Sequence, residues 1–283
     1  MALQETGRKR QLADKFYTNP VVAKKCLQKL IELVPNPGGF VWTEPSAGSG
    51  AFLNALAELL PTSRAIGLDL DPGRSDISKG DFFEWDMPAE VGPHKIFFGN
   101  PPFGRQSSLA RRFIQRAAEL GADWIAFILP RSFEKPSLQK FVPSVYHLRA
   151  SVRLEPNAFL VNGRAHDVPC VFQIWEKKDV ARTTVASVQP TGYAYVKPTE
   201  PFDIAIRRVG VFAGAAYLGG GTFSPQSHYF VKLTLGTEKR GEIVQKLSAH
   251  PFPSNTTGPR SLSKGEISAV LNGLVAQEET TLP

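Results

Sequence analysis

Between residues 40 and 175 the chain repeats one pattern: a short apolar run, a tight turn, then apolar positions at helical spacing. Strands are expected over 40–43, 64–70, 95–99 and 124–129, with a shorter one just before Asp81. Helices are expected over 51–60 and 109–120, and a Gly-rich turn over 45–50 joins the first strand to the first of these. Alternation with such short connections confines the chain to an α/β fold, a mostly parallel, doubly wound sheet. Asn19 and Pro20 supply an N-cap and a first-position proline for a helix over 21–34. Two further strands, 147–154 and 169–175, have only a loop holding Asn162 and Gly163 between them. They read as an antiparallel hairpin on the sheet edge.

Beyond Lys178 the texture turns to Val, Thr, Tyr and Gly. β-like runs at 184–188, 194–196, 208–212 and 229–235 are interrupted by Gly219, Gly220 and Gly221, which read as a hairpin turn. Helices are expected at 242–247 and 266–274, the second with Ser263 and Glu266 at capping-box spacing, and the tail from Gln277 should fray. This divides the 283 residues into a domain over 1–180 and a smaller β-rich region over 181–283. No apolar run approaches bilayer length and the first ten residues are polar, so neither a membrane helix nor a signal peptide is expected. Cys26 and Cys170 are too few for a disulfide framework and lack metal-site spacing. They fit two reduced, structural thiols in a cytoplasmic or nuclear-type compartment, not a secreted protein. The net charge of +7 suits a polyanionic partner. An acidic stretch at 65–90 precedes a basic one at 91–178, although arginines such as Arg112 and Arg116 could simply solvate a helix face.

Chemistry is concentrated at the strand ends. The strand over 95–99 runs into Asn100-Pro101-Pro102-Phe103. Two prolines fix φ and remove both N–H donors, leaving rigid backbone carbonyls as acceptors, and the Asn100 side-chain oxygen adds another. Such a turn can accept both hydrogens of a planar amino group while Phe103 stacks on the ring that bears it. Earlier, Glu44-Pro45-Ser46-Ala47-Gly48-Ser49-Gly50 lies between strand and helix, where glycines admit a ligand to the backbone and the helix N-terminus favours an anion. Asp69 ends the next strand, placed for ribose hydroxyls. Asp81 could accept from an adenine amino group, with Phe82 beside the ring. Polar groups at successive strand ends face one crevice.

The ordered set Phe16-Tyr17-Thr18-Asn19-Pro20, the Glu44–Gly50 turn, Asp69, Asp81 and Asn100-Pro101-Pro102-Phe103 resembles the S-adenosylmethionine-dependent adenine-N6 methyltransferases of the gamma motif order. The match spans roughly residues 14–176 and implies a class I, Rossmann-like methyltransferase fold. The resemblance implies that Tyr17, Thr18, Glu44 and the turn through Ser46, Ala47, Gly48 and Gly50 hold the methionine end of S-adenosyl-L-methionine. Asp69 would hold the ribose, and Asp81 and Phe82 the adenine. Asn100 and the Pro101 carbonyl would accept from the target amine, and Phe103 would stack on the target base. Phe159 fits either a second aromatic against a flipped base or a hydrophobic loop anchor.

On this reading the partner is nucleic acid, DNA ahead of RNA, with no metal and no membrane, and a partner subunit is not excluded. A protein glutamine methyltransferase is an alternative, because a glutamine amide presents the same edge. That class usually carries Tyr in place of Phe103 and an N-terminal helical domain. A non-catalytic nucleic-acid-binding scaffold is another; its mark would be an eroded turn, and both turns here are intact. The region over 181–283, with Arg207, Arg208, Tyr217, Tyr229 and Lys232, fits either substrate recognition or a cap on the sheet.

Overall fold

A computed structural model of the chain describes residues 16–88, 91–161, 163–183, 188–235, 237–254 and 259–277. The polar start, Asn162, most of the strand expected over 184–188 and the tail beyond Gln277 lie outside the described residues. The chain packs as two units, Met1–Thr184 and Val185–Pro283.

The first unit runs β1 (Tyr17–Thr18), α1 (Pro20–Leu33), β2 (Val41–Glu44), α2 (Ala51–Leu59), β3 (Arg64–Asp69), β4 (Ser78–Lys79), β5 (Lys95–Gly99), α3 (Ser108–Glu119), β6 (Trp124–Pro130), α4 (Pro136–Gln139), β7 (Tyr146–Arg153), β8 (Phe159–Val161), β9 (Arg164–His166) and β10 (Cys170–Lys177). Helix α1 starts as its sequence dictates: the Asn19 side chain accepts from the Val21 amide at 3.0 Å, and Pro20 takes the first helical position. Ala23, Cys26, Leu27 and Leu30 then fall on one stripe and are buried.

Seven strands form the central sheet in the order β4-β3-β2-β5-β6-β10-β7. Strands β4, β3, β2, β5 and β6 pair in parallel, and β10 runs antiparallel to both neighbours. Period-two alternation fills both faces. Ile96, Phe98, Trp124, Ala126 and Ile128 join α1 and α2 in one core, and Phe97, Ile125, Phe127 and Leu129 join Phe113 and Ile114 of α3 in the other. Apolar side chains on both faces explain why these strands read as continuous hydrophobic runs. Cys26 and Cys170 are buried free thiols in the first core; burial pushes the Cys26 thiol up to about 12.

The expected edge hairpin forms, with two differences. Its second arm, β10, lies between β6 and β7, so the first arm is the outer one. The intervening segment is also more than a loop, because β8 and β9 pair with each other and β8 pairs with β1, Thr18 opposite Phe159.

The second unit contains β11 (Tyr193–Val196), β12 (Ile204–Arg207), β13 (Ala216–Leu218), β14 (His228–Leu233), α5 (Arg240–Ala249) and α6 (Lys264–Gln277). Its antiparallel sheet has the order β11-β14-β12-β13. Ile204, Ile206, Val231 and Leu233 pack against Ile243, Leu247, Ile267 and Leu271. The strand expected at 208–212 is displaced to 204–207. Gly210, at φ +97°, turns the chain, and its carbonyl accepts from Ala213. Gly219–Gly221 is not a hairpin turn, since it connects β13 to β14 and β12 separates those strands. The capping box forms in both directions: Ser263 N–H donates to Glu266 Oε2 at 2.8 Å, and Glu266 N–H to Ser263 Oγ at 3.2 Å.

Candidate active site

From β2 the chain adds β3 and β4 on one side, then crosses to build β5 and β6 on the other. The strand order therefore reverses between β2 and β5, and a crevice lies outside their carboxyl ends. Glu44 closes β2 and Asn100 follows β5, so both belong to this switch point. The Asn100 amide nitrogen donates to the Phe16 carbonyl at 2.9 Å. That bond fixes the amide's orientation, and its other end, Oδ1, is buried with no hydrogen-bond partner among the described residues. Ser46 Oγ donates to the Asn100 carbonyl at 3.1 Å. Its hydroxyl thus ties the Gly-rich turn to the Asn-Pro-Pro-Phe turn and acts as a positioning group.

Glu44 is almost fully enclosed and its Oε2 has no hydrogen-bond partner among the described residues. Burial raises its pKa well above the usual glutamate range, and Asp69 pushes the same way. The Leu53 amide, in the first turn of α2, and the Arg74 guanidinium oppose that rise. Gly99 makes room for it. At φ +126° its backbone is one that a side chain strains to adopt, and a Cβ there would lie 2.9 Å from Glu44 Cγ.

The Gly-rich turn is stitched from several sides. Gly48 N–H donates to Asp69 Oδ2 at 2.7 Å, and the Ala47 amide to the Leu68 carbonyl at 2.9 Å. Asp69 Oδ1 accepts from the Asp71 amide. Tyr17, half-exposed, lies over Gly48, where a Cβ would approach its ring to 3.3 Å. Gly50, at φ +80°, leaves space taken by Arg74, whose side chain is held by Asp76 and Asn54. Thr18, the second residue of β1, is buried. Arg74 and Gly99 were not singled out by sequence; a glycine after an apolar run and an exposed Pro-Gly-Arg give little warning of such contacts.

The aromatic residues divide. Phe103 is partly buried between the two cores, and its carbonyl accepts from the Leu109 and Ala110 amides that start α3. Between them, Gln106 and Ser107 adopt left-handed φ values of 52° and 60°, strain of the kind found beside functional turns. Phe82 is 2 % exposed, its ring set among Phe97, Phe113, Phe83 and Trp85. It offers no open face to an adenine, so that expectation is corrected: Phe82 is a core side chain. Phe159 is fully buried, paired in β8 with Thr18 and edge-on to Phe16. It is the hydrophobic anchor and does not face a base.

Asp81 Oδ1 accepts from the Phe83 amide at 2.9 Å, shaping the turn it begins. The arginines of α3 do more than solvate it: Arg116 donates to the Phe82 and Trp85 carbonyls, and Arg112 lies 4.0 Å over the Phe83 ring. His166 stacks on Phe16, and burial raises the Cys170 thiol, which disfavours its thiolate. A hollow of about 210 Å³ by Phe40, His94 and Trp124 lies at the amino ends of the strands, away from this crevice. Among the described residues no helix is long and apolar enough to cross a membrane.

Strand order with one reversed strand next to the edge, a Gly-rich turn after the first strand and acids at the following strand ends define the class I methyltransferase fold. No family model matches the chain, and no curated protein matches it. Among solved structures it is similar to PH1948 of Pyrococcus horikoshii, provisionally an RNA methyltransferase, at 18 % identity and TM-score 0.41, over 55 % of this chain and 82 % of that one. It is also similar to the plantazolicin methyltransferase BpumL in complex with SAH, at 11 % identity and TM-score 0.41, over 62 % and 92 %. A methyltransferase from Pyrococcus furiosus gives 15 % identity and TM-score 0.38, over 58 % and 85 %. At these values the likeness carries no argument of its own; the strand order carries the fold.

Proposed function

We propose that this chain transfers a methyl group from S-adenosyl-L-methionine to the N6 amine of adenine in nucleic acid, DNA ahead of RNA. One observation carries the reading: Asn100 is oriented by the Phe16 carbonyl so that a buried acceptor, Oδ1, is left without a partner among the described residues at the switch point. A buried acceptor of this kind is costly unless a ligand donates to it.

The cofactor fits the residues present. Gly48, Gly50 and Gly99 let Tyr17, Arg74 and Glu44 pack against the turns, where a Cβ would crowd them, and the buried Glu44 carboxyl suits a cationic amino group. Tyr17, Thr18, Ala47 and the turn would border the methionine end, Asp69 the ribose and Asp81 the adenine. When bound, S-adenosyl-L-methionine supplies an electrophilic methyl carbon on a sulfonium. Asn100 Oδ1 and the Pro101 carbonyl accept from the target amine, drawing its nitrogen toward tetrahedral geometry and freeing its lone pair for in-line attack. The methyl would pass to that nitrogen as its bond to sulfur breaks, and the amine would then give up one proton, without a strong base. Phe103 would stack on the target base, helping to offset its removal from a duplex.

The test is labelled methyl transfer to matched duplex DNA, single-stranded DNA, structured RNA and protein extract, with the product identified by mass spectrometry. N6-methyladenine in a nucleic-acid pool is expected, and Asn100→Ala should lower kcat by about 100-fold or more with folding unchanged. Label only on protein glutamine would overturn the reading.

A further inference from the structure

The second unit contains a hollow of about 220 Å³ lined by Tyr195, Tyr229, Arg208, Lys264, His228 and Pro225 among others. Its walls are brought together by pairing. Tyr195 on β11 and Tyr229 on β14 meet edge to face at 5.8 Å. The Arg208 carbonyl accepts from the Leu262 amide at 2.8 Å, which brings Lys264, two residues further on, to the same corner. Both tyrosines are fixed by their hydroxyls, Tyr195 donating to the Lys264 carbonyl at 3.1 Å and Tyr229 to the Leu262 carbonyl at 3.3 Å. Over these rings sit two cations: Lys264 Nζ lies 4.6 Å from the Tyr195 centroid, and the Arg208 guanidinium 5.3 Å from that of Tyr229.

Neither cation has a carboxylate partner among the described residues. Lys232 on the same sheet, by contrast, pairs with Asp203 at 3.1 Å, and Lys246 pairs with Glu242 at 2.7 Å. Among the described residues the Arg208 guanidinium donates to the Gln226 carbonyl through Nε and Nη2, an arrangement that aims the group without neutralising it. The corner therefore lacks an anion and presents aromatic surface beside it. Its volume is below the roughly 300–1,000 Å³ of sites for free small molecules, so it suits one unit of a polymer better than a detached ligand.

We propose that this hollow binds one nucleotide of a single-stranded nucleic acid, the phosphate between Arg208 and Lys264 and the base against the tyrosine and guanidinium surfaces. The assignment of the polymer rests on the nucleic-acid reading above; the hollow and its charge do not. It makes the second unit a substrate-holding element with little sequence preference, since every base has a ring face and every nucleotide a phosphate.

The test is equilibrium binding of fluorescent single-stranded DNA, single-stranded RNA and duplex to the full chain, without cofactor, across a salt series. R208Q/K264Q should weaken single-strand binding about tenfold or more and reduce the salt slope by about 0.7–1.4. R208K/K264R, which keeps the charges, should retain most of it. K24Q/K29Q, which removes the same charge from α1, should change little. As a check independent of any substitution, a photoreactive oligonucleotide on the wild-type chain should crosslink to peptides holding Tyr195 or Tyr229. Unchanged affinity and slope in R208Q/K264Q, crosslinks confined to other peptides, or tighter binding of duplex would each overturn the proposal. Oligonucleotide binding that depends on Arg208 and Lys264 without adenine methylation would keep this site and reject the proposed activity. Methylation with binding indifferent to both residues would do the reverse.

Discussion

Asn100 Oδ1 and Glu44 Oε2 are buried side-chain oxygens of the crevice, each without a hydrogen-bond partner among the described residues. Their requirements differ, because Asn100 Oδ1 needs a donor, whereas burial raises the Glu44 pKa well above the usual glutamate range and a cation beside it would favour the ionised form. With its folded-state pKa raised, Glu44 contributes most to stability below the ordinary carboxylate range. That contribution declines as pH rises through the raised value. Glu44→Gln has no proton to lose, so its stability relative to wild type should increase from mildly acidic to alkaline pH in urea titrations. Cofactor binding to wild type should release a proton and tighten as pH rises, and the same substitution should flatten that dependence in calorimetry. Gly99→Ala meets two obstacles together, a left-handed φ of 126° and the 2.9 Å approach to Glu44 Cγ. We expect it to lose about 1–3 kcal/mol in denaturant unfolding and to lose methyl transfer as Glu44 is displaced.

Elements whose ends are set by local chemistry were legible from sequence. Asn19-Pro20 capped α1, and Ser263 and Glu266 capped α6, because a side-chain oxygen two or three residues from a free amide needs no tertiary partner. Ser263→Ala should cost about 1 kcal/mol, read as an earlier unfolding midpoint. The turns were legible for the same reason, since prolines at 101 and 102 restrict the backbone wherever they occur and glycines at 48 and 50 admit the positive φ that a tight turn uses. Inward or outward orientation was not. An aromatic just past a strand end looks the same whether it faces a ligand or a core, and Phe82 and Phe159 both face cores. Nor could spacing show that β10 enters between β6 and β7, because strand order is a non-local choice. The strands β8 and β9, three residues each, are too short to give a periodic signal, and Phe159 is buried on β8, between β1 and β9.

At the scale of the whole molecule the two units have separate cores, one pair on the faces of the parallel sheet and another between a small antiparallel sheet and α5 and α6. Residues proposed for the cofactor all belong to the first. Differential scanning calorimetry should then show two transitions. Cofactor or its demethylated product at 100 times Kd should stabilise only one of them, by about 2.7 kcal/mol. A single transition that shifts as a whole would mean the units melt together.

The reversed strand has a consequence for the chain while it is being made. β6 finds its outer neighbour only in β10, which ends forty-odd residues downstream and also joins β7 to the sheet. At about 5–20 residues per second, the stretch from Pro130 to Lys177 takes on the order of 2–10 s to emerge. During that interval β6, seven apolar or proline residues in a row, keeps one bare edge. The nascent protein is then most exposed to mispairing with its neighbours on the polysome, and the arrival of β10 ends that exposure by closing two edges with one strand.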